Sequence, residues 1–239
     1  MKLLAFDTST ERLSVAVGRW DADGRLQLWQ HSGAGGAQAS ATLIPQALAL
    51  LADAGLALTG LDAIAFGAGP GSFTGLRTAC SVAQGLAFGA GVPVLPVDTL
   101  MAVAEDARER SGATRVQAVL DARMDEVYTA AYEWQAGHWQ QRGDFQLLAP
   151  EAVVMADGGW LAGNAFAAYG ARLPGEAAQR IDALPTAAAM LRLAPALLAA
   201  GLAVLPDQAL PRYIRDKVAK TTDERAAERA ATHPPATEP

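Results

Sequence analysis

Two stretches of this chain superimpose without a gap. Leu3-Leu4-Ala5-Phe6-Asp7, five residues and Leu13-Ser14-Val15-Ala16 are mirrored by Ala118-Val119-Leu120-Asp121, five residues and Val127-Tyr128-Thr129-Ala130. In each, an apolar run ends at an aspartate, a short turn follows and a second run returns, as in a hairpin with buried strands. A third strand follows both times, at Leu26–Trp29 and around Gln140–Leu147. A hairpin that recurs with its aspartate predicts two related α/β units rather than one continuous sheet. Chance likeness of two hairpins is the competing explanation.

The rest of the chain fits two units. After a Gly-, Ala- and Ser-rich stretch from His31 to Ser40, expected to be a mobile loop, a helix is predicted over Thr42–Ala54. Thr42 would cap it and Pro45 would sit in its first turn, where a missing N–H matters little. Leu43, Ala47, Leu50 and Ala54 share one face, widened by Ile44, Leu48 and Leu51. Strand Ala63–Phe66, helix Leu76–Gly89 and strand Val92–Val97 complete a first lobe over 1–98. The second lobe, 99–216, holds a helix at Thr99–Arg110, a strand at Arg115–Leu120, a strand and helix within Leu161–Tyr169, and a helix at Ala187–Ala200. From 217 to 239 the chain turns charged and Pro-rich, the composition of a mobile tail.

Between strand Ala63–Phe66 and its following helix lies Gly67-Ala68-Gly69-Pro70-Gly71-Ser72-Phe73-Thr74-Gly75-Leu76-Arg77. Three glycines around one proline make a tight turn of unusual backbone conformation. Free N–H groups at a helix start favour an anion; the alternative is a plain glycine turn capped by Ser72 or Thr74. The nucleotide-triphosphatase loop, with Gly-Lys-Ser/Thr at its end, is absent. Arg77 stands near the positive helix end, so it calls for a compensating anion, from a carboxylate or a bound phosphate, unless it is simply solvated.

Composition narrows the chemistry. Hydrophobic residues are 51% and charged ones 18% of 239, which predicts a folded soluble protein, and a net charge of −6 argues against a broad basic face for nucleic acid. One cysteine, Cys80, excludes a disulfide framework and suggests a reducing, cytoplasmic setting. No stretch reads as a targeting segment, and Arg192 and Pro195 interrupt the apolar region 187–205, so no membrane span is expected. The three histidines, His31, His138 and His233, have no metal-ligand spacing.

A duplicated hairpin with paired aspartates resembles the actin and sugar-kinase superfamily, a duplicated actin-like, ribonuclease-H-like α/β fold of two lobes. In that superfamily the hairpin turns hold nucleotide phosphates and the aspartates serve a metal. Here the turns read Asp7-Thr8-Ser9 and Asp121-Ala122-Arg123, with no glycine and a bulky Arg123, so a degenerate member is expected. More closely, Asp7-Thr8-Ser9-Thr10, the segment Gly69 to Arg77, Asp121 to Tyr128, and Pro211-Arg212-Tyr213-Ile214-Arg215 resemble the successive signatures of the TsaB (YeaZ) family. The resemblance implies a non-catalytic subunit of the assembly that forms threonylcarbamoyladenosine beside the tRNA anticodon. It would bind and activate the paralogous transferase TsaD and recruit the ATPase TsaE, meeting tRNA through the complex. ATP and metal would sit on those partners, with no cofactor of its own. Under this reading Asp7, Gly69, Gly71, Ser72, Thr74, Gly75 and Arg77 are candidate nucleotide or phosphate contacts at the complex interface. The partner surface is expected at Leu43, Ala47, Leu50, Ala79, Ala83, Gly85 and Leu86, where a homodimer would form when the partner is absent. The competing reading is an autonomous ATPase or kinase-like enzyme, or a metallopeptidase-like protein of the same fold.

Overall fold

The computed structural model of the chain describes residues 1–215; the tail expected at 217–239 lies outside them. Strands β1 (Lys2–Asp7), β2 (Arg12–Trp20) and β3 (Leu26–Ala34) form an antiparallel meander. Helix α1 (Ala39–Asp53) leads to β4 (Ala63–Gly69), α2 (Phe73–Ala90) to β5 (Val94–Asp98), and α3 (Thr99–Ser111) leaves the sheet. β4 joins β1 in parallel and β5 joins β4, giving the order β3-β2-β1-β4-β5. The second half repeats this plan. β6 (Arg115–Arg123), β7 (Glu126–Gln135) and β8 (His138–Leu148) form the meander. β9 (Trp160–Gly163), the short α4 (Phe166–Tyr169) and β10 (Arg180–Asp182) add the parallel strands in the order β10-β9-β6-β7-β8. Helix α5 (Ala187–Ala199) follows β10 as α3 follows β5. The duplication read from two hairpins is a duplication of whole sheets. Their turns are not identical: Asp7 lies opposite Ser14, whereas Asp121 lies opposite Val127, one residue nearer, with a bulge before Arg123.

Side-chain alternation divides the core. From β1, β2 and β4, Leu4, Phe6, Leu13, Val15, Val17, Ile64 and Phe66 point to α1 and α2. Leu3, Ala5, Ala16, Ala63 and Ala65 point the other way, and the four alanines let α5 lie close against the first sheet. α3 packs on β6 of the second sheet. The two helices therefore cross over between the sheets and pack on each other, so one apolar core is shared by both lobes. The C-terminal coil returns as well: Val204 bridges to Val94, and Ala209 is buried under α2. The second lobe is thus not the continuous 99–216 stretch expected, because residues 187–212 pack largely on the first sheet.

Three local expectations are corrected. His31–Ser40 is not one loop, since β3 continues to Ala34 and a single turn, Gly36–Gln38, leads into α1. α1 starts at Ala39, so Thr42 lies inside it and donates Oγ1 to the Gln38 carbonyl at 3.0 Å rather than capping. Pro45 then falls in the helix interior on the exposed face, where water can reach the carbonyl its missing N–H leaves free. α2 starts at Phe73, three residues early, and ends at Gly91, whose φ of +70° closes the helix as glycine alone does cheaply.

Where α3, α5 and β8 meet, Glu105 is 1% exposed. It accepts from Arg108 Nε at 2.9 Å, Arg192 Nε at 3.2 Å and Trp139 Nε1 at 2.9 Å. Removing a buried carboxylate leaves two guanidinium groups face to face and an indole N–H without a partner. Glu105→Ala is expected to lower stability by on the order of 3 kcal/mol, read by urea denaturation of the full chain. A loss under about 1 kcal/mol, the size of a surface pair, would mean this network does not tie the lobes together.

Candidate functional site

The turn after β1 nests in the glycine loop. A Cβ on Gly75 would overlap the Thr8 carbonyl oxygen, one on Gly67 the Asp7 carboxylate, and one on Gly71 would lie 2.6 Å from the Ser9 Cβ. Thr8 Oγ1 donates to the Gly75 carbonyl at 2.7 Å, and the Ser72 N–H donates to the Ser9 carbonyl at 2.7 Å. Gly69, at φ +120°, makes room for the Arg212 backbone, whose N–H donates to the Ala68 carbonyl at 2.6 Å. The glycines thus serve close approach of the chain to itself. Gly69, Gly71 and Gly75 were expected to receive a phosphate; their open sides are filled by Thr8, Ser9 and Arg212. Ser72 occupies the N-cap position of α2, exposed and without a side-chain capping bond, and Thr74 is exposed in the first turn.

Asp7, expected as a nucleotide or phosphate contact, is 1% exposed and does not line the cleft. Its Oδ1 accepts from the Ser9 N–H at 2.9 Å and the Ser9 hydroxyl at 2.7 Å, fixing the turn. Its Oδ2 is buried without a hydrogen-bond partner, against the bare backbone of Gly67. Burial pushes the carboxyl up from 3.8 to about 7, against the pull of the two Ser9 bonds.

Between the lobes runs a cleft of about 820 Å³, floored by Leu76, Leu120 and Ala122 and edged by Ser9, Ser72 and Asn164. By the superfamily resemblance read from the sequence, nucleotide phosphates would be expected between the two hairpins. Here the second aspartate is engaged: Asp121 Oδ1 accepts from Tyr169 Oη at 2.9 Å and from the Arg123 N–H, and Oδ2 pairs with the Arg123 guanidinium at 3.2 Å. Burial and that bond push the Tyr169 phenol up to about 12, so it stays a donor. Arg123 also pairs with Glu11 of the first hairpin, linking the two turn tips across the cleft mouth. These turns do not fit a phosphate chain and its metal.

The C-terminal segment Pro211–Arg215 borders the same cleft, a role that its short basic and aromatic run had not suggested. Arg212 pairs with Asp98 at the end of β5, and Arg215 Nη2 meets Glu126 Oε2 at 2.6 Å on the second hairpin. Tyr213 stacks on Phe73, ring centroids 5.3 Å apart. One short segment therefore holds both lobes.

Arg77 lies in the second turn of α2, not the first. Its guanidinium sits 3.8 Å from the Phe73 ring centroid and its Nε donates to Tyr213 Oη at 3.1 Å. Among the described residues no carboxylate pairs with it. Cys80 is buried and its thiol donates to the Ala209 carbonyl at 3.3 Å; burial raises its pKa, which argues against a nucleophile. No group of three His, Cys, Asp or Glu residues able to hold a metal occurs among the described residues, and no helix there is long and apolar enough to cross a membrane.

The expected partner residues divide. Leu43, Ala47, Leu50, Ala79 and Ala83 are buried in the first lobe's own core, because these faces of α1 and α2 cover the sheet. Gly85 is exposed and Leu86 half-buried. The outward side carries Ile44 and Leu48 from α1 and Ser81, Gly85, Phe88 and Gly89 from α2; Phe88 is 83% exposed.

Fold and cleft together define a duplicated, two-lobed α/β protein of the actin-like class whose inter-lobe cleft is bordered by its own C-terminal segment. Residues 36–168 match the family model described as TsaD, tRNA N6-adenosine threonylcarbamoyltransferase. The tRNA threonylcarbamoyladenosine biosynthesis protein TsaB of Escherichia coli is 37% identical over 228 residues, covering 92% of this chain and 96% of that protein. Its namesake from Haemophilus influenzae is 36% identical over 236 residues, covering 91% and 95%. The solved structure of YeaZ from Pseudomonas aeruginosa is 42% identical and superimposes with a TM-score of 0.80, covering 89% of this chain and 99% of that one. The chain belongs to the TsaB (YeaZ) family.

Two outcomes follow from the nested turn. Gly75→Ala drives a methyl into the Thr8 carbonyl, which as backbone cannot turn aside, and is expected to cost about 2 kcal/mol or more in urea denaturation; an unchanged midpoint would refute the close packing. Asp7 binds its proton more tightly folded than unfolded. Its contribution is therefore fully present below 3.8 and is lost as pH rises from there through about 7. Asp7→Asn should flatten this decline, whose limit is about 1.4 kcal/mol per pH unit, when unfolding free energies at pH 5 and pH 8 are compared. Equal slopes in both proteins would show that Asp7 is ionised in the fold.

Proposed function

We propose that this chain is the non-catalytic, activating subunit of an assembly that forms threonylcarbamoyladenosine in tRNA. The family supplies the pathway, since its members are named for that biosynthesis. The observation that carries the non-catalytic part is that both hairpin aspartates are occupied: Asp7 is sealed away from the cleft and Asp121 is held by Tyr169 and Arg123. In this reading a TsaD-type transferase carries the active site, ATP and metal belong to the partner subunits, and a TsaE-type ATPase joins the pair. The chain acts in the cytoplasm, where tRNA is modified.

The outward side of α1 and α2 is the docking face. Ile44, Leu48 and Phe88 expose apolar side chains around Gly85, where a partner helix can approach closely. The same face on two copies is self-complementary, so a homodimer forms through it when the transferase is absent.

The test is reconstitution of the purified full chain with a transferase and a small ATPase of these families. Threonylcarbamoyladenosine formation should depend on the chain, while the chain alone neither turns over ATP nor releases product. Gly85 has no atom within 4 Å of an added Cβ, so Gly85→Trp should fold normally. It should lose both self-association and transferase binding by analytical ultracentrifugation. Substantial ATP turnover by the chain alone, lost in an Asp7→Asn variant, would favour the autonomous enzyme. A Gly85→Trp protein that binds as tightly as the parent would move the docking face elsewhere.

A further inference from the structure

Beside the outward face of α2, at its N-terminal end, lies an open groove of about 450 Å³. Its walls are Ser40, Thr74, Thr78 and Ser81, with Phe73 and Val82 as apolar floor and Arg77 as the only charged group. Arg77 is fixed rather than free. Its plane rests on the Phe73 ring and its Nε is taken by Tyr213 Oη, so its rotamer freedom is already spent. Among the described residues the two Nη groups have no acceptor, whereas Arg212 and Arg215 on the neighbouring segment each have a carboxylate. A guanidinium held by its Nε edge with its Nη edge open is set for a two-oxygen acceptor.

Two anions have that shape, a phosphate of nucleic acid and a carboxylate of protein. A polyanion is held by several cations at once, through release of condensed counterions. Here one arginine stands among hydroxyls on a chain of net charge −6. The apolar floor and the four hydroxyl residues, Ser40 of α1 among them, suit a folded protein segment instead. Ser40 and Thr78 already donate to the carbonyls of Ala37 and Thr74, so they can serve that segment's backbone N–H groups as acceptors. The groove also continues the helix face bearing Ser81 and Gly85, so a partner docked there already lies along it. Resting on the docking reading given above, we propose that Arg77 receives an Asp or Glu side chain of the docked transferase, seated in this groove as the polar anchor of the interface.

Titration calorimetry of the full chain against the transferase, at low and at high salt, tests this. Arg77→Glu should remain folded by circular dichroism yet bind about a hundredfold more weakly, and Arg77→Lys about tenfold more weakly because it cannot offer the fork. Replacing the transferase's surface Asp and Glu residues singly by Arg should yield one variant that restores binding to Arg77→Glu. The proposal is overturned if Arg77→Glu binds within about threefold of the parent while Gly85→Trp does not bind, since docking would then stand without the groove. It is overturned equally if no charge-swapped transferase rescues Arg77→Glu. Weaker tRNA retention by the assembled Arg77→Glu complex, at unchanged transferase affinity, would assign the groove to phosphate and also overturn it. If both variants bind as the parent does, the docking reading fails and takes this one with it.

Discussion

Much of this structure hangs on the seating of one four-residue turn, Asp7 to Thr10, against a loop whose Gly67, Gly71 and Gly75 carry no Cβ where the turn lies. The Thr8 carbonyl occupies the space a Cβ on Gly75 would fill, and the Ser9 carbonyl takes the Ser72 N–H. That contact sets where α2 begins, because the loop must complete its turn before Phe73 can enter the helix. It also exposes the Ala68 carbonyl and leaves room at Gly69, which the Arg212 backbone then uses. Thr99, the first residue of α3, donates its hydroxyl to the Pro70 carbonyl of the same loop. The first hairpin, α2, α3 and the C-terminal segment are thus referred to one loop.

The crossing of α3 and α5 is the second constraint. Each of these helices follows one sheet in sequence, and each finds its main sheet contacts on the other. Neither lobe could bury its inner face alone, so the two halves share a core and the Glu105 network forms at the seam. The outer faces are treated unequally. α1 and α2 span 15 and 18 residues and cover the first sheet. The outer face of the second is closed by α4, of four residues, and by coil. Helices longer than their own sheet requires leave an outward side, and that surplus lies on the first lobe alone.

Fold class was legible in the sequence because the repeat carries strand period and a landmark aspartate together. Which sides of α1 and α2 face outward was only half legible. Stripes of small residues four apart were visible on α2, but periodicity cannot say which stripe faces the sheet: Gly75, Ala79 and Ala83 turned inward, Ser81, Gly85 and Gly89 outward. The glycine loop misled in a different way. Glycine signals that something approaches closely, and the approaching group here was the chain's own backbone. The first start of α1 was missed because Ser40 and Thr42 return their hydroxyls to the carbonyls of Ala37 and Gln38, which lengthens the helix into a region of weak propensity. The cleft border at Arg212 to Arg215 had no periodic signature at all; its contacts with Asp98 and Glu126 are more than eighty residues distant in the chain.

Both hairpin turns that open the two lobes are occupied by the chain's own groups. Burying Asp7 with one unpaired oxygen is costly, and burial raises its carboxyl to about 7. On the other hairpin, three successive residues, Arg123, Met124 and Asp125, take left-handed backbone angles, at φ of 60°, 56° and 64°. Such strain persists only where surrounding contacts hold it; Arg123 is tied to Asp121 by its N–H and guanidinium and pairs with Glu11, and Asp125 pairs with Arg172. Both turns therefore spend their polar groups on binding one another and the rest of the chain. A cleft arranged in this way works as a joint between lobes. The first sheet, not the cleft, carries α1 and α2, whose inner faces pack on it and on each other.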